Sequence, residues 1–360
     1  MTSYPGAVGA RRPETASDIA SATPPSPVRW GVLGAANIAV QKVVPAMQRG
    51  RMSRVVAIAS RERAHAEAAA ASLGIARAHG SYDALLADPE VEAIYNPLPN
   101  HLHVPWTLRA LAAGKHVLCE KPIALSAAEA RQLLQARDRS GLRVGEAFMV
   151  RTHPQWLQVR ELIAAGRIGE LRLISAHFSY FRDEPADIRN QPAAGGGGLM
   201  DIGCYPVTMA RWLFGSEPVQ VLALIERDPR LGIDRLTSGL LRFATGRASF
   251  NVSTQLVPYQ RFEAFGTRGR IELQIPYNAP PDRGVRILVD DGRQFAGEGA
   301  EVMEFAPVDQ YTLQGDVFSL AVRGRGTVPV SLEDAVANMA VIDALFRSER
   351  TGQWEAPGSA

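Results

Sequence analysis

Lys121, Asp201 and Tyr205 are the side chains of this sequence whose types and surroundings suit proton transfer. Lysine is scarce: Lys42, Lys115 and Lys121 stand among 39 basic residues, the rest being arginine. A chain that uses arginine so freely and places a lysine here has use for a compact ammonium whose pKa can move. Lys121 closes His116-Val-Leu-Cys-Glu-Lys-Pro122, an apolar run that reads as a short buried strand. Pro122 stops it, because proline fixes its own φ and offers no backbone donor. Glu120 and Lys121 are thereby left at the carboxyl end of a strand, where ligands bind in open α/β sheets. The plainer reading is a surface lysine paired with Glu120. Asp201 and Tyr205 follow four glycines at 195–198, which let the backbone approach another group closely. Four residues apart, the two share one face of an α-helix. A tyrosine can transfer a proton if a neighbouring cation lowers its pKa from about 10. The plainer readings are an acid matching the helix dipole and a core aromatic.

The first half of the chain supplies a framework for these groups. Val28-Arg-Trp-Gly-Val-Leu-Gly34 is a short apolar strand ending in glycine, followed by a helical pattern through Met47. The spacing Gly34-x-Ala36-x-x-Ala39 fits the dinucleotide fingerprint in its strand–turn–helix setting, with alanine replacing the second glycine. The helix start, with Asn37 and Ile38, offers free N–H groups and a positive dipole end to phosphates. Residues 54–60 are continuously apolar, as a parallel strand buried on both faces should be. Where an acid would bind a ribose 2′-hydroxyl stand Ser60 and Arg61, which suit a 2′-phosphate, so NADP(H) is expected over NAD. Otherwise Arg61 is a solvated residue opening the helix 62–73. Helices at 82–87, up to 113 and at 126–139 alternate with strands at 91–95, 116–121 and 143–148. That alternation is the mark of a doubly wound parallel sheet, expected over 28–150. Tyr82, Leu98, Asn100, His103 and Glu120, at the ends of its elements, complete the expected cofactor contacts.

From about 151 the pattern changes to helices at 154–165 and 199–214 among strands joined by short turns. An α+β domain with a mostly antiparallel sheet is expected over 151–350, closed by helices at 311–322 and 332–348. Net charge is +2 and no basic cluster is interleaved with aromatics, which argues against nucleic acid. Two cysteines, Cys119 and Cys204, cannot build a disulfide framework and point to a reducing, cytoplasmic setting. No apolar run approaches the ~18 residues of a membrane span. His101 and His103, two apart, make a poor metal site. Residues 1–27 lack periodicity and read as a Pro-rich arm; Arg11-Arg12 is followed by polar residues rather than an export signal's apolar segment.

Taken together, these residues resemble the Gfo/Idh/MocA family of oxidoreductases, named for glucose–fructose oxidoreductase and inositol dehydrogenase. The resemblance rests on residues 29–39, Asn96-Pro-Leu-Pro-Asn-His-Leu-His103, 114–122, Glu146-Ala-Phe-Met-Val-Arg-Thr-His-Pro-Gln155 and Gly196-Gly-Gly-Leu-Met-Asp-Ile-Gly-Cys-Tyr205. It implies a Rossmann domain followed by a domain with a large open sheet, often used for dimerisation, so a homodimer or homotetramer. The family's lysine maps onto Lys121 and its acid onto Asp201, while Tyr205 stands where many members carry histidine. On that pattern the expected activity is NADP-dependent oxidation of an aldose at C1 to a lactone. Tyr205 would take the hydroxyl proton, Lys121 would hold it partly ionised and Asp201 would orient a neighbouring hydroxyl. Arg151, Phe181, Arg189 and Tyr311 are further sugar-pocket candidates. Alternatives are an aldose–aldose oxidoreductase that retains its cofactor, a ketosugar or anhydrosugar dehydrogenase, and a dinucleotide-sensing protein without chemistry.

Overall fold

The computed structural model describes residues 25–358 with the exception of 296, so nearly all of the arm expected over 1–27 lies outside the described residues. Six strands, β1 (Val28–Leu33), β2 (Ser53–Ala59), β3 (Arg77–His79), β4 (Ala93–Asn96), β5 (His116–Cys119) and β6 (Val144–Glu146), pair in parallel. Their order is β3-β2-β1-β4-β5-β6. Strand order reverses between β1 and β4, and that switch point opens a crevice at the carboxyl ends. Trp30, Val32 and Leu33 of β1 are fully buried, as both faces of a parallel sheet demand.

Crossovers run through α1 (Val44–Arg49), α2 (Arg63–Leu73), α3 (Tyr82–Leu86), α4 (His103–Ala112) and α5 (Ala127–Ser140). Local sequence fixes their ends. Ser126 accepts from Glu129 N–H while Glu129 reaches back to Leu125 N–H, so two orphan donors at the start of α5 are satisfied. Gly141, at φ +67°, ends that helix in the left-handed conformation.

The second sheet has eight strands: β7 (Leu171–Phe181), β8 (Gln220–Arg227), β9 (Asp234–Arg242), β10 (Arg247–Ser253), β11 (Gln255–Gly266), β12 (Arg270–Leu273), β13 (Val285–Asp290) and β14 (Glu301–Phe305). Their order is β14-β13-β12-β11-β7-β10-β9-β8, antiparallel except where β10 lies parallel to β7. Helices α6 (Pro154–Ala164) and α7 (Cys204–Phe214) belong with this sheet, and α7 packs on β7.

The last two helices, α8 (Gln310–Val322) and α9 (Leu332–Thr351), turn back to the first sheet. Trp30 Nε1 donates to Ser319 Oγ over 3.1 Å and its ring lies 5.4 Å from that of Phe318. Asp316 accepts the N–H groups of Arg51 and Met52 at 2.9 and 2.8 Å. Asp343 of α9 accepts Ala127 N–H at the start of α5 over 2.9 Å. Burial of an aromatic such as Phe318 contributes roughly 2–3 kcal/mol to this seam. The two sheets are therefore held against each other by chain that lies late in sequence.

Candidate active site

A cleft of about 540 Å³ lies between the two sheets, lined by Asn37, Ile38, Leu98, Asn100, Glu120 and Lys121 with Tyr311 of α8 on one side and by Tyr180, Arg189, Asp201 and Tyr205 on the other. On the first side Gly34 leaves β1 at φ +88° and donates to Ala59 O over 2.8 Å. A Cβ there would stand 3.1 Å from Leu98 Cδ2 and 3.5 Å from the Tyr82 hydroxyl, so both conformation and space require glycine. The chain then enters a π-helical turn (Ala39–Val43) that runs into α1. Pro45 cannot donate to the carbonyl four residues back, and Val44 N–H instead bonds Ala39 O, five back. Ser60 and Arg61 follow β2 directly, half-buried and exposed. A tight turn closed by Leu98 and Tyr82, a helix start beyond it and an exposed guanidinium after β2 fit a dinucleotide bearing a 2′-phosphate.

Lys121 stands two residues past β5, and the Lys121–Pro122 peptide bond is cis. Its Nζ donates to Asp201 O at 2.5 Å and to Asp201 Oδ1 at 3.2 Å, across the cleft. Burial opposes the charge on Lys121, but Asp201 outweighs it and holds the pKa above the ordinary value. Beside it, Glu120 accepts the Tyr95 hydroxyl at 2.7 Å, and burial pushes its carboxyl up in spite of that bond.

Asp201 is the hub of the other wall. Tyr180 donates its hydroxyl to Oδ2 over 2.5 Å, and Arg189 Nε lies 3.5 Å from Oδ1. Burial alone would raise this carboxyl. Lys121, then Arg189, and the bond from Tyr180 outweigh it and pull the pKa down to about 2. Asp201 is thus a fixed anion, spent as a base. The glycine run is shaped by a second carboxylate: Gly197, at φ +121°, would carry its Cβ into Asp234 Oδ1. Asp234 is 1% exposed and accepts Leu199 N–H at 2.5 Å, which fixes the start of the helical segment that bears Asp201. Asn100 Nδ2 donates to Gly195 O over 2.9 Å, tying the loop after β4 to the same run.

Residues 28–148 match the oxidoreductase family described as an NAD-binding Rossmann fold, and residues 156–272 match the GFO/IDH/MocA C-terminal domain. The chain is 49% identical over 329 residues to an uncharacterized oxidoreductase of Rhizobium meliloti, covering 91% of this chain and 98% of that one. The chain belongs to the Gfo/Idh/MocA family. A D-xylose 1-dehydrogenase (NADP(+)) of Haloferax volcanii is 38% identical over 328 residues, 90% of this chain and 98% of its own. Among solved structures, the 3-ketoreductase KijD10 of Actinomadura kijaniata, in complex with NADP and TDP-benzene, superposes with a TM-score of 0.83 at 30% identity. That match covers 90% of this chain and 98% of the other.

Within this Gfo/Idh/MocA site several expected roles change. Tyr205 turns its hydroxyl to Met149 Sδ, 3.4 Å away, and Lys121 Nζ sits over its ring, 5.1 Å from the centroid. Burial, then Tyr311 and other neighbours, drives its pKa well above 10, so Tyr205 is a neutral phenol rather than one partly ionised by Lys121. The cause is local: Asp201 lies in a π-helical turn (Leu199–Gly203) ahead of α7, so the one-face rule for residues four apart does not hold between them. Arg151 is outside the cleft lining; it pairs with Asp334 at 2.8 Å and covers the Trp212 ring at 4.5 Å. His103 is among the residues around the cleft but has no exposed surface; its Nδ1 lies 2.7 Å from Pro122 O and its Nε2 2.6 Å from Leu98 O, so it braces the loop after β4. Tyr82 backs the Gly34 turn, packed edge-on against Trp106 at 4.8 Å. Phe181, Arg189 and Tyr311 all line the cleft, Phe181 at its rim with 61% of its surface exposed. Sequence reasoning passed over Tyr180. Period two along β7 carried the signal: Ile174, Ala176 and Phe178 point inward, and 180 continues that parity while 181 breaks it.

Proposed function

We propose that this chain is an NADP-dependent sugar oxidoreductase that oxidises the C1 hydroxyl of an aldose to a lactone. The observation that carries the reading is Lys121, whose ammonium joins both walls of the cleft and spends two of its three N–H bonds on Asp201. The third is left for the reacting oxygen. Ser60 and Arg61 would hold the 2′-phosphate, and the turn from Gly34 through Ala36 to Asn37 and Ile38 the pyrophosphate. When bound, the nicotinamide supplies the hydride acceptor. Lys121 bonds the C1 oxygen; for oxidation its ammonium first gives a proton to solvent in the cleft, and the amine then takes the C1 hydroxyl proton as the hydride leaves C1. Asp201, kept ionised, holds Lys121 in place and with Arg189 presents charge to a neighbouring hydroxyl. Tyr205 gives the sugar a ring face, and Tyr311 a second aromatic wall.

A second reading is favoured by the protonation of Lys121, an ammonium being the form that donates to a carbonyl oxygen during ketosugar reduction. One assay separates the two. Aldoses and polyols are offered with NADP+ and NAD+, ketosugars with NADPH, and nicotinamide absorbance is followed. The aldose reading expects NADP+ reduction with at least one aldose and its loss, by 10²-fold or more, in Lys121→Met. Ketosugar turnover alone refutes it in favour of the second, and nucleotide binding without any turnover refutes both.

A further inference from the structure

The peptide unit that follows Lys121–Pro122 is gripped at both ends by buried titratable side chains that the chemistry above does not use. Its carbonyl, on Pro122, lies 2.7 Å from His103 Nδ1. Its N–H, on Ile123, donates to Glu146 Oε1 over 2.8 Å. His103 is fully buried and Glu146 is 3% exposed, so neither grip is loosened by solvent. The other nitrogen of His103 faces Leu98 O at 2.6 Å, so the ring is wedged between the loop after β4 and the turn after β5, donating to one of the two carbonyls when neutral and to both when protonated. Glu146 ends β6, opposite Cys119 in the β5–β6 register, and Ala147 N–H donates to Cys119 O over 2.8 Å. Three strand ends thus converge on one peptide plane, and the ammonium sits one residue before it.

We propose that His103 and Glu146 are positioning residues for Lys121: by fixing the Pro122–Ile123 peptide from both sides they set where the ammonium meets the reacting oxygen. The inference rests on the role given to Lys121 above. Its charged surroundings are shared with that lysine. His103 faces Lys121 and His101; Glu146 faces Asp334, Arg211, Lys121 and Cys204. A displacement of about 1 Å at such a centre costs about 10²-fold in rate, which sets the scale of the effect.

Having only three lysines makes the test direct. With ¹³C at lysine Cε the protein gives three signals, and Lys121→Arg assigns the one that matters. Glu146→Leu and His103→Leu each release one end of the peptide, while Glu146→Gln keeps an acceptor for Ile123 N–H. The Lys121 signal and its titration are expected to move in both leucine variants and to return in Glu146→Gln, with Lys42 and Lys115 unmoved. Turnover should fall ten- to a hundredfold in kcat with KM within about twofold. If a leucine variant does not fold, His103→Asn, which keeps a donor, should give an intermediate shift. An unmoved Lys121 signal overturns the proposal, as does a joint shift of all three lysines with a lowered melting temperature. If Lys121→Met retains turnover, the catalytic reading falls, and the lysine spectra still decide whether the grip positions that side chain.

Discussion

Glu146 and His103 should give the folded chain a pH dependence of stability whose two parts run in opposite directions. Burial raises the Glu146 carboxyl from 4.5 to about 8, against its bond from Ile123 N–H and the pull of Arg211 and Lys121. Burial lowers His103 from 6.5 to about 4, against its two carbonyl neighbours. For Glu146 the folded pKa lies above the unfolded one, so the folded chain holds an extra proton between pH 4.5 and 8. Its contribution is complete below that window and is lost as pH rises through it, at about 1.4 kcal/mol per pH unit. The whole span is roughly 5 kcal/mol. For His103 the unfolded chain holds the extra proton between 4 and 6.5, so that contribution rises with pH, by roughly 3 kcal/mol in all. The two slopes oppose each other up to pH 6.5, and above it Glu146 acts alone. Urea unfolding of the wild type and Glu146→Gln at pH 5, 6.5 and 8 isolates the carboxyl, because all other groups cancel in the difference. From pH 6.5 to 8 the wild type should lose about 2 kcal/mol relative to the variant. His103→Asn should remove the opposing rise below 6.5. Parallel curves for wild type and Glu146→Gln would refute the reasoning.

Three further outcomes are expected. Tyr180→Phe removes the 2.5 Å bond to Asp201; kcat/KM should fall about 10- to 100-fold, the worth of a hydrogen bond to a charged group, with NADPH affinity unchanged by fluorescence titration. Arg61→Ala should raise KM for NADP about tenfold or more and leave that for NAD within twofold; equal effects on both would remove the 2′-phosphate role. Gly197→Ala forces a side chain at φ +121° into the Asp234 carboxylate and should cost ~3 kcal/mol or prevent folding, whereas Gly299→Ala, with open space around it, should leave the urea midpoint nearly unchanged.

The first sheet was largely legible because most of its strands are apolar runs stopped by glycine, proline or a polar pair, and α3 and α5 open on the serine caps Ser81 and Ser126. Lys121 and Asp201 could each be read as site residues, since one closes a strand and the other follows a glycine run, but their direct contact could not. β3 was not legible: three half-buried residues carry no period. β13 and β14 escaped because they are short, are interrupted by Arg286 and Asp290 and by Glu301 and Glu304, and sit among loops rich in proline and glycine. The burial of His103 was hidden for a different reason. A histidine in a polar loop looks like a ligand, and only the convergence of the strand ends around it shows both nitrogens facing backbone carbonyls.

Tyr205 shows most clearly where spacing rules stop. Counting four residues from Asp201 puts the two side chains together on an α-helix, and from that count a lysine–tyrosine couple follows. The chain places Pro206 just past the segment in question, and the residues from Leu199 to Gly203 form a wider turn. In a wider turn four residues no longer complete one revolution, so Asp201 reaches Lys121 and Tyr180 while the Tyr205 hydroxyl reaches Met149. The same pairing of a π-helical turn with a proline recurs at Ala39–Val43 and Pro45, on the cofactor side of the cleft. Both segments that face the cleft from a helix start are therefore reshaped by a proline that withholds one donor. What stands nearest the ammonium is then set by the helix geometry, and it delivers a fixed carboxylate and a ring face rather than a phenolate.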